Sequence, residues 1–196
     1  HNAKHSIFNK TSFPKAEYHD ETVAVIAVHS HWCFYHWIFD LLPRLEVLRR
    51  SGLEYDKLYV GPISSRFQKE TLAKLGVDTN KLIYGHSKTH IKAKKVLVPI
   101  VDSGYDYHSH YSWSCDYLSH ALSNPENEQA EATEKIFISR EKTSRPIANR
   151  DELLELLSKH GFKKVILEDM SLDDQIALFS RAKCVISAHG AGLTHL

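Results

Sequence analysis

Short apolar runs alternate with amphipathic stretches along this chain, and their order predicts a layered α/β protein. Thr22 to Val28 (T-V-A-V-I-A-V) is continuous, β-branched and short. That pattern suits a strand buried on both faces, as in a parallel sheet. From Phe34 to Arg50 the apolar residues Ile38, Leu41, Leu42, Leu45 and Leu48 recur at helical spacing before Gly52. Pro43 falls inside that pattern, so the helix is expected to kink there or to start its first turn there. Lys57 to Val60 reads as a strand, Ser65 to Leu75 as a helix stopped by Gly76, and Leu82 to Tyr84 and Ile91 to Pro99 as further strands. Asp102 to His120 is aromatic and polar, a loop leading into a helix over Trp113 to Leu122. Aromatic faces of that kind suit either an irregular packed loop or a sugar site.

Asn124 to Glu134 is acidic and nearly free of large apolar residues, the best linker in the chain. A regular alternation follows. Lys135 to Ser139, Lys164 to Glu168 and Cys184 to Ser187 read as strands. Between them lie two helices. Asn149 with Glu152 resembles a capping box ahead of the stripe Leu153, Leu154, Leu157, and Gly161 ends that helix. Ser171 with Asp174 caps a second helix, with the stripe Leu172, Ile176, Phe179. The β-α-β-α-β order predicts a parallel sheet with right-handed crossovers, half of a doubly wound domain. With only two helices to cover it, that half is expected to be marginal on its own.

Composition narrows the class. An apolar share of 42% with 25% charge is ordinary for a soluble globular chain. A formal net charge of +1 gives no reason to expect nucleic acid, and Lys92, Lys94 and Lys95 read as a solvated strand face. No run reaches the ~18 apolar residues of a membrane span. Cys33, Cys115 and Cys184 lack C-x-x-C spacing, and their odd count excludes a complete disulfide framework; one pair stays open, with reduced, buried thiols as the expectation. His29, His31 and His36, with Cys33 among them, lack the carboxylate spacing of a zinc helix, so they are read as cleft-wall residues. The sole Met is Met170, and the chain stops inside a motif, so it is expected to be a fragment.

The chemistry gathers at the ends of the last three strands, where open α/β sheets bind ligands. Ser139-Arg140 closes the first of them, and Arg145 follows in the next loop. Two Arg there suit a diphosphate, held by bidentate, charge-assisted bonds. Glu168-Asp169-Met170 follows the second strand, and His189-Gly190-Ala191-Gly192 follows the third. The glycines permit unusual backbone or close ligand approach, and a helix start after them would suit an anion. A second cluster lies early. His36 and Asp40 are four residues apart on a helix and share a face, so the carboxylate is a candidate general base.

Taken together these segments resemble the family-61 glycosyltransferases. The matching text is H-W-I-F-D-L-L-P-R-L at His36 to Leu45, I-S-R at Ile138 to Arg140, and R-P-I-A-N-R-D-E-L at Arg145 to Leu153. It continues with G-F at Gly161-Phe162, L-E-D-M-S-L-D-D-Q-I-A-L-F at Leu167 to Phe179, and H-G-A-G-L-T-H-L at His189 to Leu196. The resemblance implies a GT-B fold, two Rossmann-like domains facing across a cleft. An acceptor-side domain would span 1–123, a linker 124–134, and a truncated nucleotide-sugar domain 135–196. It further implies an inverting transfer from a UDP sugar to a glycan or protein hydroxyl. Arg140 and Arg145 would contact the diphosphate, as would His189, Gly190, Ala191 and Gly192. Ser139 would stand beside them, and Glu168, Asp169 and Met170 would border the base and ribose. Asp40 would be the base, oriented by His36.

No D-x-D triplet stands at a predicted strand end, so no metal or other cofactor is expected beyond the nucleotide sugar itself. Few cysteines and no apolar anchor favour a bacterial cytoplasmic enzyme of surface-polysaccharide synthesis, with the secretory lumen as the alternative. Three other classes remain to be weighed. A non-catalytic nucleotide-sugar-binding remnant or scaffold would carry the same motifs. A hydrolase lacks its G-x-S-x-G elbow here. A plain dinucleotide enzyme lacks G-x-G-x-x-G after a strand.

Overall fold

The apolar runs pair side by side, all in parallel, in two sheets. The computed structural model describes residues 9–101, 112–123, 131–142 and 146–195. The first sheet contains β1 (Glu17–Val25), β2 (Lys57–Gly61), β3 (Leu82–Tyr84) and β4 (Ile91–Leu97), in the order β3-β2-β1-β4. Ala24 lies opposite Leu58 on one side and Leu97 on the other. The second contains β5 (Glu134–Ile138), β6 (Lys163–Val165) and β7 (Ala182–Ser187), in the order β6-β5-β7. Ile136 lies opposite Lys163 and Val185. Parallel pairing needs a crossover between strands, and helical segments lie between β1 and β2, β2 and β3, β5 and β6, and β6 and β7.

The strand over Thr22 to Val28 is displaced. β1 starts at Glu17, because the polar stretch Glu17–His19 pairs with Ile91–Ala93 of β4. Ile26 to Val28 leaves the strand, although Ile26 stays buried and donates its N–H to the Tyr59 carbonyl. The expected strand Lys164 to Glu168 is likewise shorter. It stops at Val165, and Leu167–Asp169 forms a 3-10 turn that removes Glu168 from the sheet.

The kink anticipated at Pro43 takes a specific form. α1 (Phe34–His36) passes into a π-helical segment, Trp37–Leu41, before α2 (Pro43–Ser51) begins. The Leu42 N–H reaches back five residues to the Trp37 carbonyl at 3.1 Å. Pro43 has no N–H to continue the ladder, so it starts a new helix at its first turn. The Arg44 Nε donates to the Asp40 carbonyl at 3.0 Å, in the stretch where the ladder is interrupted. The wide turn buries Trp37, Ile38 and Leu41 together. With Ala24, Ile26, Leu58, Val60 and Leu72 they make the main core.

Buried polar groups stitch the surrounding helices. α3 (Arg66–Lys74) is preceded by Ser65, and the buried Gln68 accepts from the Ser64 and Ser65 N–H groups at 2.8 and 2.9 Å. The Gln68 amide also donates to the His31 carbonyl. Glu46, buried on α2, accepts from Arg49 and Arg50. Those bonds hold its carboxyl at a pKa of about 2 against the opposing effect of burial. The Arg50 guanidinium lies over Trp113 of α4 (Ser112–Leu122), 5.0 Å from the ring centroid.

The second sheet leans on the first. Ile176 of α6 (Leu172–Ser180) packs against the main core. Glu70 of α3 accepts from the Leu172 N–H at 3.0 Å, and Lys74 pairs with Asp173 at 2.8 Å. Ser171 caps α6 as expected, its hydroxyl accepting from the Asp174 N–H. The Asn149 capping box does not form ahead of α5 (Arg150–Lys159). Asn149 has φ −104° and ψ 39°, outside the extended conformation that turns an N-cap side chain back onto the helix. The three thiols are free, but Cys115 and Cys184 are exposed rather than buried. Lys183 and Cys184 both face solvent on β7, an edge strand of its sheet. The aromatic stretch 102–111 and most of the linker lie outside the described residues.

The Trp37 indole donates to Thr71 Oγ1 at 2.8 Å in the middle of the core. Thr71→Val keeps the shape and removes the acceptor. It is expected to lower unfolding stability by ~1–3 kcal/mol, the cost of an unpaired buried donor, while Thr71→Ser loses clearly less. Urea denaturation of both variants checks this.

Candidate functional site

In the second sheet β5 is central, β6 lies to one side and β7 to the other. The chain therefore reverses its direction of travel across the sheet between β5 and β7. Loops leaving such a pair diverge and open a crevice at the carboxyl ends of the strands. A cavity of about 250 Å³ occupies that position, lined by Ser139, Arg140, Glu168, Gly190, Ala191 and Gly192 among others. Phe34 and Phe67, from α1 and α3 of the first sheet's layer, complete its wall.

Most of the donor-side residues read from sequence thus share one cavity. Asp169, Met170 and His189 hold its surroundings instead. Asp169 pairs with Lys142, the Met170 carbonyl accepts from Gln175, and the His189 carbonyl accepts from Arg140 Nη1. The Ser139 hydroxyl donates to Glu141 at 3.1 Å, and Lys164 holds the same carboxylate at 2.9 Å. That hydrogen bond from Lys164 is the main reason Glu141 stays below the usual carboxylate range. Arg140 uses one N–H internally, and a guanidinium has five. Arg145 lies outside the described residues.

The two glycines of the closing motif have a packing role. Neither Gly190 nor Gly192 has a left-handed backbone. What matters is the missing Cβ. A Cβ on Gly190 would stand 3.2 Å from Arg140 Nη1, and one on Gly192 would stand 2.8 Å from Leu167 Cδ1. Gly190 thus lets the guanidinium lie across the turn, and Gly192 lets the turn pack onto Leu167 and Ile138. The helix expected after Gly192 is a five-residue 3-10 segment, Ala191–His195.

His36 and Asp40 do form a pair. His36 Nδ1 and Asp40 Oδ2 are 2.7 Å apart, each side chain 40% exposed. Their i, i+4 spacing puts both side chains on one side of the helical segment. Burial raises the Tyr35 pKa, and Asp40 adds to the rise; burial lowers that of Arg44, which Asp40 opposes. Among the residues lining the 250 Å³ cavity neither His36 nor Asp40 appears. They are equally absent from the lining of a second cavity of about 560 Å³ between α4, the π-helical segment and α6. Phe34 lines both cavities. His29 and His31 pack edge-on against Trp32. Among the described residues no group of three or more His, Cys, Asp or Glu is gathered tightly enough to hold a metal ion.

Sequence reasoning missed Gln175 and His195. Gln175 lines the smaller cavity and His195 the larger, and they are hydrogen-bonded to each other at 2.8 Å. The available signal was a polar residue set among Leu172, Ile176 and Phe179 on the packed side of α6. Burial lowers the His195 pKa to about 4, so the ring is neutral at physiological pH.

A family model described as Glycosyltransferase 61 matches residues 34–196, and the chain belongs to that family. The EGF domain-specific O-linked N-acetylglucosamine transferase of Drosophila melanogaster is 31% identical over 84 residues. That alignment covers 41% of this chain and 16% of the fly protein, so the chain spans only a small part of that relative's length. No described helix is long and apolar enough to cross a membrane.

Gly192→Ala places a methyl inside the Leu167 contact. It is expected to cost ~1–3 kcal/mol of stability by overpacking. Combining it with Leu167→Ala is expected to cost less than the two single changes together. Thermal or urea unfolding of the three variants gives the coupling.

Proposed function

We propose that this chain is the catalytic region of an inverting glycosyltransferase that moves a sugar from a UDP sugar to a hydroxyl of a glycan or protein. The observation that carries the reading is the meeting of Arg140, Glu168 and the Gly190–Gly192 turn around one cavity at the reversal between β5 and β7. In this reading residues 135–196 belong to the donor domain of a GT-B arrangement and residues 1–123 to the acceptor domain. Arg140 and Arg145 neutralise the departing diphosphate. Fixed donors aimed at developing charge stabilise a transition state without reorganising, so the step needs no metal ion. Glu168, Asp169 and Met170 border the base and ribose. Asp40, oriented by His36, takes the proton from the acceptor hydroxyl as it attacks the anomeric carbon; inversion follows from that single displacement.

The family membership and the fly relative support the transferase class. That relative's name gives a protein domain as its target and N-acetylglucosamine as its sugar, which keeps a protein acceptor beside a surface glycan in the proposal. Membership of a bacterial polysaccharide pathway or of a secretory lumen divides along the same line.

A second reading has an observation in its favour. His36 and Asp40 line neither cavity, as a nucleotide-sugar-binding scaffold without transfer activity would allow.

Two measurements on the full-length protein test these readings. Calorimetry with UDP is expected to show binding, and Arg140→Ala is expected to weaken it by more than ~1.5 kcal/mol, the scale of a hydrogen bond to a charged group. Failure of UDP, GDP, CMP and TDP alike to bind removes the donor reading. Asp40→Asn is expected to abolish transfer and to leave UDP binding largely intact. Unchanged turnover in that variant removes Asp40 as the base.

A further inference from the structure

Gln175 sits where the segments following β6 and β7 meet. Its Nε2 donates to the Leu167 carbonyl at 2.9 Å and to the Met170 carbonyl at 3.4 Å. Its Oε1 stands 2.8 Å from His195 Nε2. A flipped amide would turn its oxygen toward two carbonyl oxygens and lose both bonds, so the orientation is dictated by its partners. With the amide oxygen as acceptor, the hydrogen in the third bond must belong to His195 Nε2.

The His195 ring has little freedom to choose otherwise. It stacks on Phe179 with centroids 4.6 Å apart and an interplanar angle of 23°. Phe34 lies near the ring at 4.9 Å and 31°. Phe179 belongs to α6 and Phe34 to α1, so the ring is fixed between elements of the two layers. Burial keeps it uncharged. A neutral imidazole that donates from Nε2 has a single tautomer, with Nδ1 unprotonated.

The segment held in this way is the 3-10 turn Leu167–Asp169 and its neighbour Met170. Glu168 of that turn lines the smaller cavity, as Gln175 itself does. We propose that Gln175 and His195 are positioning residues for the donor nucleotide: through one tautomer-fixed hydrogen bond they lock the Leu167–Met170 turn, and with it Glu168, in the wall of the cavity. The proposal rests on the donor reading given above. Neither residue need touch the nucleotide for the lock to act.

The experiment uses the full-length protein, with UDP as the probe in calorimetry and ¹⁵N NMR of the labelled His195 ring as the independent signature. The wild type is expected to bind UDP and to show the neutral Nε2–H tautomer near pH 7. Gln175→Leu and His195→Leu, folded by thermal melting, are each expected to weaken UDP by about tenfold, the effect of losing one buried hydrogen bond and the order it imposes. His195→Gln restores a donor near the Nε2 position and is expected to bind within about threefold of wild type, a margin below one such bond. Should the Leu variants fail to fold, Gln175→Glu decides. It still accepts from His195 but has no N–H for Leu167 and Met170, and it is expected to show the same loss. Wild-type affinity in the folded Leu variants, or in Gln175→Glu, overturns the proposal. So does an Nδ1–H tautomer in the wild type. A wild type that binds no UDP removes the donor reading and the lock's role in it, whatever the variants show, so the two failures are told apart.

Discussion

The closeness with which the Gly190–His195 turn lies against its neighbours governs the rest of the site. At Gly192 a methyl group would stand 2.8 Å from Leu167 Cδ1, so that side chain would have to shift. At Gly190 the Arg140 guanidinium covers the backbone and reaches the His189 carbonyl. At the far end of the turn His195 is held by Phe34, Phe179 and Gln175. One short segment therefore touches β5, the turn after β6, α6 and α1. A well-packed contact of this kind is intolerant of small changes, because interiors are close-packed and a single methylene is felt. The cavity exists as the residual space between surfaces that this turn keeps in register.

A second constraint, from covalent chemistry, shapes the first layer. Pro43 cannot donate, and the helix before it widens into a π turn rather than ending. The widened turn buries Trp37, Ile38 and Leu41 and leaves His36 and Asp40 paired at half exposure. Such single-turn π segments recur at functional sites. Here the same turn supplies Ile38 and Phe39 to the wall of the larger cavity, so its geometry bears on both the core and that cavity.

The sheet elements were legible because they depend on local pattern. Leu82–Tyr84 falls where its apolar triplet indicates, and β5 and β7 are displaced from their apolar runs by only a residue or two. The misses share a cause. Glu17–His19 becomes a strand only because β4 is available to pair with it, and Asn149 fails as a cap because its backbone lies outside the extended conformation. Both depend on residues far away or out of pattern. Arg140, Glu168 and the glycines were legible as strand-end chemistry. The reason for the glycines was not, because a missing Cβ matters only where another segment approaches. Gln175 and His195 escaped because a polar residue on a packed helix face reveals its role only when its partners are known.

The relation between the two cavities bears on how an acceptor meets a donor. Phe34 lines both, His195 lines the larger and Gln175 the smaller, so the partition between them is built from the groups that fix the turn. His36 and Asp40 lie on the turn that follows Phe34 in the chain. A base must come within hydrogen-bond reach of the proton it abstracts, although apo geometry is often looser than that of the reacting complex. Phe34, on the short helix before that turn, ties the His36–Asp40 segment to the second sheet through its contact with His195. In the proposed reading one aromatic contact thus links the donor-side turn to the segment that carries Asp40.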